Sequence, residues 1–174
     1  MTDHGDAAPL ILTLALDDAS FGRLDAERRA LFPTRMNLIP AHVTLFHHLP
    51  GTERAAVEDA LASACAGRGP MPVRVAAVMP LGRGAAYRLE APEVAALRAA
   101  LARAWEPWLG PQDRQPWRPH VTVQNKVPPE AARATLERLR AGFAPWTAVG
   151  EGLLLWRYLG GPWEALGRIP FAGA

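Results

Sequence analysis

Two short runs, Ala41-His42-Val43-Thr44-Leu45-Phe46 and Pro119-His120-Val121-Thr122-Val123, restrict the fold of this chain more than anything else in it. In each, apolar residues alternate with a histidine and a threonine, and side chains on a strand point alternately to opposite faces. Each run reads as a core strand, over 41–49 and 119–127, with His42 and Thr44, or His120 and Thr122, on one face and aliphatic side chains on the other. A single His-x-Thr match means little in a chain with 5 histidines. Two matches at the same place in a repeated order of elements carry far more weight.

The rest of the pattern supplies that order. The apolar run 10–16 predicts a strand buried on both faces. Asp17 or Asp18 then caps a helix over 19–31 with Phe21, Leu24, Arg28 and Leu31 at helical spacing. After the first His-Thr strand come a helix over 52–66 with Val57, Leu61 and Cys65 on its buried stripe, a hairpin over 73–79 and 85–90, and a helix over 92–109 that begins at Pro92. A polar connector, 110–118, leads to the second His-Thr strand. A helix over 131–142 and a hairpin over 147–159 and 163–171, turning at Gly160-Gly161, complete the chain.

Strand, helix, strand, strand thus occurs twice, in units 41–91 and 119–171, which predicts an internally duplicated α+β fold. The expectation is a single bilobal domain over 1–174, in which two antiparallel sheets face a central cleft and helices cover the outside. Such a two-fold arrangement sets His42 and Thr44 opposite His120 and Thr122.

Composition narrows the chemistry. With 49% hydrophobic residues in 174 the chain can bury a real core, and a net charge of +2 excludes a polycation built to coat nucleic acid. Any anionic substrate must be held locally. The lone cysteine, Cys65, excludes an intramolecular disulfide and a multi-cysteine metal site, and reads as a buried core thiol. An acidic N-terminus is unlike a secretory signal, and the apolar run 9–16 is too short to span a bilayer, so no membrane association and a cytoplasmic location are expected. His4, in that terminus, is expected to be inert.

Facing imidazoles can divide acid and base duties: one neutral ring takes a proton from an attacking hydroxyl or water, and one imidazolium gives a proton to the leaving oxygen. The threonine hydroxyls can donate to non-bridging oxygens where negative charge gathers. That set suits in-line attack on a phosphodiester and requires no metal or cofactor. Strand alternation sets Phe46 on the His42 face, placed to stack on a base, with Lys126 on the His120 face and Gln124 between them. Arg35 and Arg118, in the connectors before the motifs, and Arg157, in the last hairpin, complete the candidates for substrate contact. Alternation also sets His48 on the His42 face and His47 on the other. With no acidic residue nearby to finish a shell, the His42, His47 and His48 cluster does not read as a metal site.

The motifs His42-Val43-Thr44-Leu45 and His120-Val121-Thr122-Val123 resemble the paired H-x-T-x motifs of the 2H phosphoesterase superfamily, which includes the bacterial 2′-5′ RNA ligases and RNA 2′,3′-cyclic phosphodiesterases. The resemblance covers nearly the whole chain. It implies a bilobal α+β fold with the four motif residues lining the cleft, His42 and His120 as the acid/base pair, and Thr44 and Thr122 as phosphate-binding hydroxyls. It also implies a metal-independent reaction on RNA ends with 2′,3′-cyclic phosphate or on small cyclic nucleotides, with ATP-independent 2′-5′ ligation when an RNA 5′-hydroxyl replaces water; a monomer is expected. The alternative from another class is a non-catalytic module that binds RNA ends or nucleotides in the same cleft.

Overall fold

The apolar run near the N-terminus forms β1 (Leu10–Leu16), buried along its whole length, in a computed structural model that describes residues 7–173. The readings made on the acidic N-terminus and on His4 lie outside the described residues. After β1 come α1 (Asp18–Leu31), β2 (Thr44–Leu49), α2 (Arg54–Ala66), β3 (Met71–Pro80), β4 (Ala85–Glu90), α3 (Pro92–Ala104), β5 (His120–Gln124), α4 (Pro129–Ala141), β6 (Trp146–Tyr158) and β7 (Trp163–Pro170). The predicted order recurs as β2-α2-β3-β4 and β5-α4-β6-β7.

Local chemistry explains the element ends. The Asp17 carboxylate caps α1 by accepting from the Ser20 amide at 3.1 Å, and ties the cap to the sheet by accepting from the Val149 amide at 2.8 Å. Helix α3 stops at Ala104 and gives way to a single 3-10 turn, Glu106–Trp108, instead of running to 109. Pro107 lacks the amide that a continued α-helix would need there and is tolerated only near the start of the new 3-10 turn.

Every strand pair is antiparallel, and the strands are hydrogen-bonded in the order β2-β1-β6-β3-β4-β5, with β7 also on β6. The α+β class is as predicted, but the two sheets are not separate. Strand β6 is 13 residues long and serves both wings: its residues 146–150 pair with β3, while 152–158 pair with β7 and 150–157 run along β1. The wings interlock. The β3-β4 hairpin of the first unit carries β5 of the second, and the β6-β7 hairpin of the second reaches β2 of the first through β1.

The core joins Leu10, Leu12 and Leu14 of β1 to Val57, Leu61 and Cys65 of α2 and to Val94, Leu97 and Leu101 of α3. Cys65 is the buried thiol that its place in the stripe predicts, and burial pushes its pKa up. Helix α1 packs on β5, and α4 on β3 and β4. Each motif strand therefore forms the outer edge of its wing.

Candidate active site

The two motif histidines are held in the same way. His42 lies in extended chain just before β2, and its Nδ1 is 2.8 Å from the Pro40 carbonyl. His120 opens β5, and its Nδ1 is 2.8 Å from the Arg118 carbonyl. Each ring donates backward to the carbonyl two residues earlier, which fixes the tautomer and leaves Nε2 for chemistry. His42, Thr44, His120 and Thr122 line one pocket of about 140 Å³, completed by Ile11, His47 and Trp163. A larger, more apolar pocket of about 240 Å³ adjoins it through His42, with Phe21, Leu154 and Trp156 among its walls.

Burial is the main reason the His42 pKa is pushed down to about 4. The Pro40 carbonyl opposes that shift, and the charges of Arg28, His120 and His47 add to it. The ring of Trp163 packs at 4.7 Å from the His42 ring, between centroids, and helps to exclude water there. His42 is accordingly a neutral imidazole at neutral pH in the unliganded protein.

One backbone device corrects several sequence expectations. Between β1 and β2, Thr13 faces Thr44 but Leu12 faces Phe46, so Leu45 is an extra residue. Between β4 and β5, Ala86 faces Thr122 but Ala85 faces Gln124, so Val123 is an extra residue. A β-bulge thus follows the threonine of each motif and inverts the faces of the residues just beyond it, and β2 shifts register once more between Phe46 and Leu49.

Phe46 is consequently fully buried, edge-on to Trp105 at 5.2 Å and under the Arg98 guanidinium at 4.6 Å, instead of lying open to a base. Gln124 is also buried, and its Nε2 donates to Thr135 Oγ1 of α4 at 2.9 Å. His47 lines the pocket where alternation had placed His48. Lys126 lies beyond the end of β5, exposed and with φ of 63°, so it does not continue the His120 face.

The arginine expectations divide. Arg35 is exposed on the 3-10 turn Thr34–Met36, and Arg118 is exposed and contributes its carbonyl to His120. Arg157 is buried in β6, between Leu10 of β1 and Glu164 of β7. The pocket wall contains none of these three.

Residues that sequence reasoning passed over hold the motifs in place. The segment 110–118, expected to be a polar connector, is a strap along the open edge of β2. Trp117 Nε1 donates to the Thr44 carbonyl at 2.9 Å, and buried Asp113 accepts from the amides of His47 and His48 and lies 3.0 Å from His47 Nδ1. Arg98 of α3 secures the same edge by donating to the carbonyls of Leu45 and Asp113. On the other motif, buried Arg28 donates to the Thr122 carbonyl at 2.9 Å and to Asn37 Oδ1 at 2.8 Å. The two threonine carbonyls are thus satisfied in equivalent ways by unrelated side chains. No group of three or more His, Cys, Asp or Glu among the described residues has the arrangement of a metal site.

The family model described as the 2′-5′ RNA ligase superfamily matches residues 16–162. The chain belongs to this superfamily. Its members are the 2H phosphoesterases, so the protein is of the phosphoesterase and ligase type. Solved structures with the same fold include TT0787 of Thermus thermophilus, at TM-score 0.69 and 19% identity, covering 95% of this chain and 98% of that one. E. coli LigT complexed with 3′-AMP matches at TM-score 0.62 and 14% identity, and LigT complexed with NADP+ at 0.59 and 16%, each again covering 95% of this chain and 98% of that one. No curated protein sequence matches the chain. In this 2H chain no helix among the described residues is long and apolar enough to cross a membrane.

Proposed function

We propose that this 2H protein hydrolyses 2′,3′-cyclic phosphodiesters of RNA ends or small nucleotides without a metal, with ATP-independent 2′-5′ ligation as a second reaction of the same site. The observation that carries the reading is the convergence of two equivalently oriented imidazoles and two threonines on one pocket. His42, kept neutral by burial, takes the proton of the attacking water as its oxygen bonds to phosphorus. His120 gives a proton to the ribose oxygen as its bond to phosphorus breaks. The Thr44 and Thr122 hydroxyls donate to the non-bridging oxygens, whose charge grows in the transition state. An RNA 5′-hydroxyl in place of water gives a 2′-5′ bond by the same proton transfers.

The adjoining apolar pocket suits the nucleoside attached to the phosphate, and the 3′-AMP bound by LigT is a ligand of that class. The reading takes the protein to act as a single bilobal unit and a monomer, since both motifs that line the pocket come from one chain. A cytoplasmic setting fits the lone buried thiol. Incubation with 2′,3′-cyclic nucleotides and a cyclic-phosphate-ended oligonucleotide, followed by phosphorus NMR, is the direct test. Conversion to a 2′- or 3′-monophosphate in the presence of EDTA is expected. Tight binding with no turnover across the panel would favour the non-catalytic module, and activity lost to EDTA and restored by a divalent ion would favour metal-dependent hydrolysis.

A further inference from the structure

The pocket repeats its first residues faithfully and then breaks its symmetry. His42 and Thr44 have their counterparts in His120 and Thr122, and both motifs bulge after the threonine. Five positions past each motif histidine, however, the first half carries His47 and the second Asn125. His47 is on the pocket wall. Asn125 Oδ1 instead accepts from the neighbouring Lys126 amide at 2.8 Å, within its own turn.

His47 is also braced in a way that an incidental surface histidine is not. Its backbone amide is 2.8 Å and its Nδ1 3.0 Å from the same Asp113 oxygen, Oδ1. Asp113 is only 2% exposed, and although burial works against its charge, the bonds from His47 and His48 hold its pKa below the usual carboxylate value. The carboxylate accepts a hydrogen bond from Nδ1–H, which leaves Nε2 as the nitrogen available to the pocket. With a proton on Nε2, the ring is a cationic donor whose countercharge lies behind it, the arrangement that grips a phosphate oxygen.

We propose that His47, positioned by Asp113, is a third functional imidazole of this site that binds a phosphate oxygen on the His42 side. A pocket with the same His and Thr on both sides has little to distinguish the two ends of its substrate. A third imidazole on one side supplies the difference, so that the phosphate is seated in one orientation and His42 meets the nucleophile. The inference rests on the phosphoesterase reading and extends it from four residues to a fifth contact.

Inorganic phosphate titrated into the protein, followed by calorimetry and by the imidazole nitrogen signals in NMR, probes the contact without any turnover. His47→Gln keeps the backbone bond to Asp113 and an amide donor for the carboxylate, so the strap remains in place. It should weaken phosphate binding about tenfold, the worth of one charged hydrogen bond. KM for a 2′,3′-cyclic nucleotide should rise by a similar factor while kcat stays within about threefold. Asp113→Asn should weaken phosphate in the same direction with kcat kept, as expected of a positioning residue, and His48→Gln should change neither quantity. Unchanged phosphate affinity in His47→Gln, or a fall in kcat without a change in affinity, would overturn the proposal. Should the wild-type protein bind phosphate through His47 and turn over no cyclic phosphate, the hydrolase reading fails while this contact stands.

Discussion

In the proposed reaction His42 is the residue on which the chemistry turns, because burial gives it a property that His-x-Thr spacing alone does not convey. Its native pKa of about 4 lies below the ordinary value of 6.5, so between those values the unfolded chain binds a proton that the native state does not. Stability from this group is fully present above about pH 6.5 and is lost as pH falls toward 4. Denaturant melts of the wild type and His42→Ala at pH 7, 5.5 and 4.5 should show the wild type losing more stability on acidification than the variant, and parallel losses would contradict the assigned burial. The same shift predicts that the acid limb of the kcat/KM profile falls below pH 6.5, since that profile reports the free enzyme. Macroscopic values from the profile belong to the imidazoles jointly.

At the scale of elements, the two bulges decide which side chains the strands present. Gly84, in the turn of the β3-β4 hairpin, lies so close to β5 that a Cβ there would sit 1.8 Å from the Gln124 carbonyl oxygen. Gly84→Ala must push the turn and the bulged strand apart. It is expected to cost about 1–3 kcal/mol, as overpacking does, and to lower activity by disturbing His120 and Thr122. Thermal unfolding and a turnover assay on the one variant check both effects. Hydrophobic period and turn chemistry made the elements legible in the sequence, and Asp17, Pro92 and Gly160 mark ends that the structure reproduces. The motif residues were legible because they precede the bulges. Phe46, Gln124 and His47 were misread because a bulge leaves no mark in the alternation of residue types, yet it reverses the parity of the residues that follow it, and Lys126 was misread because β5 ends at Gln124 and the chain turns there. Trp117 and Asp113 were missed for another reason: their partners are backbone groups of a strand far away in the chain.

Across the whole molecule, long-range side-chain bonds bring the two motifs into one pocket. The strap that precedes the second motif binds the edge of the first through Trp117, and Arg28 of the N-terminal helix binds the edge of the second. Arg28→Met removes the donors to the Thr122 carbonyl and Asn37 while keeping most of the buried volume. It should destabilise the protein by about 1–3 kcal/mol, the cost of leaving buried polar groups unpaired, and urea melts measure it. Trp117→Phe, which keeps an aromatic ring but loses the donor to Thr44, should cost about 1 kcal/mol in the same measurement. The central claim is that the interlocked wings exist to oppose two imidazoles across a phosphodiester. Turnover of a 2′,3′-cyclic nucleotide by His42→Ala and by His120→Ala tests it most directly. Each variant should retain its fold by circular dichroism and lose about two or more orders of magnitude in kcat, the worth of one general acid or base. Wild-type turnover in both folded variants would contradict the account.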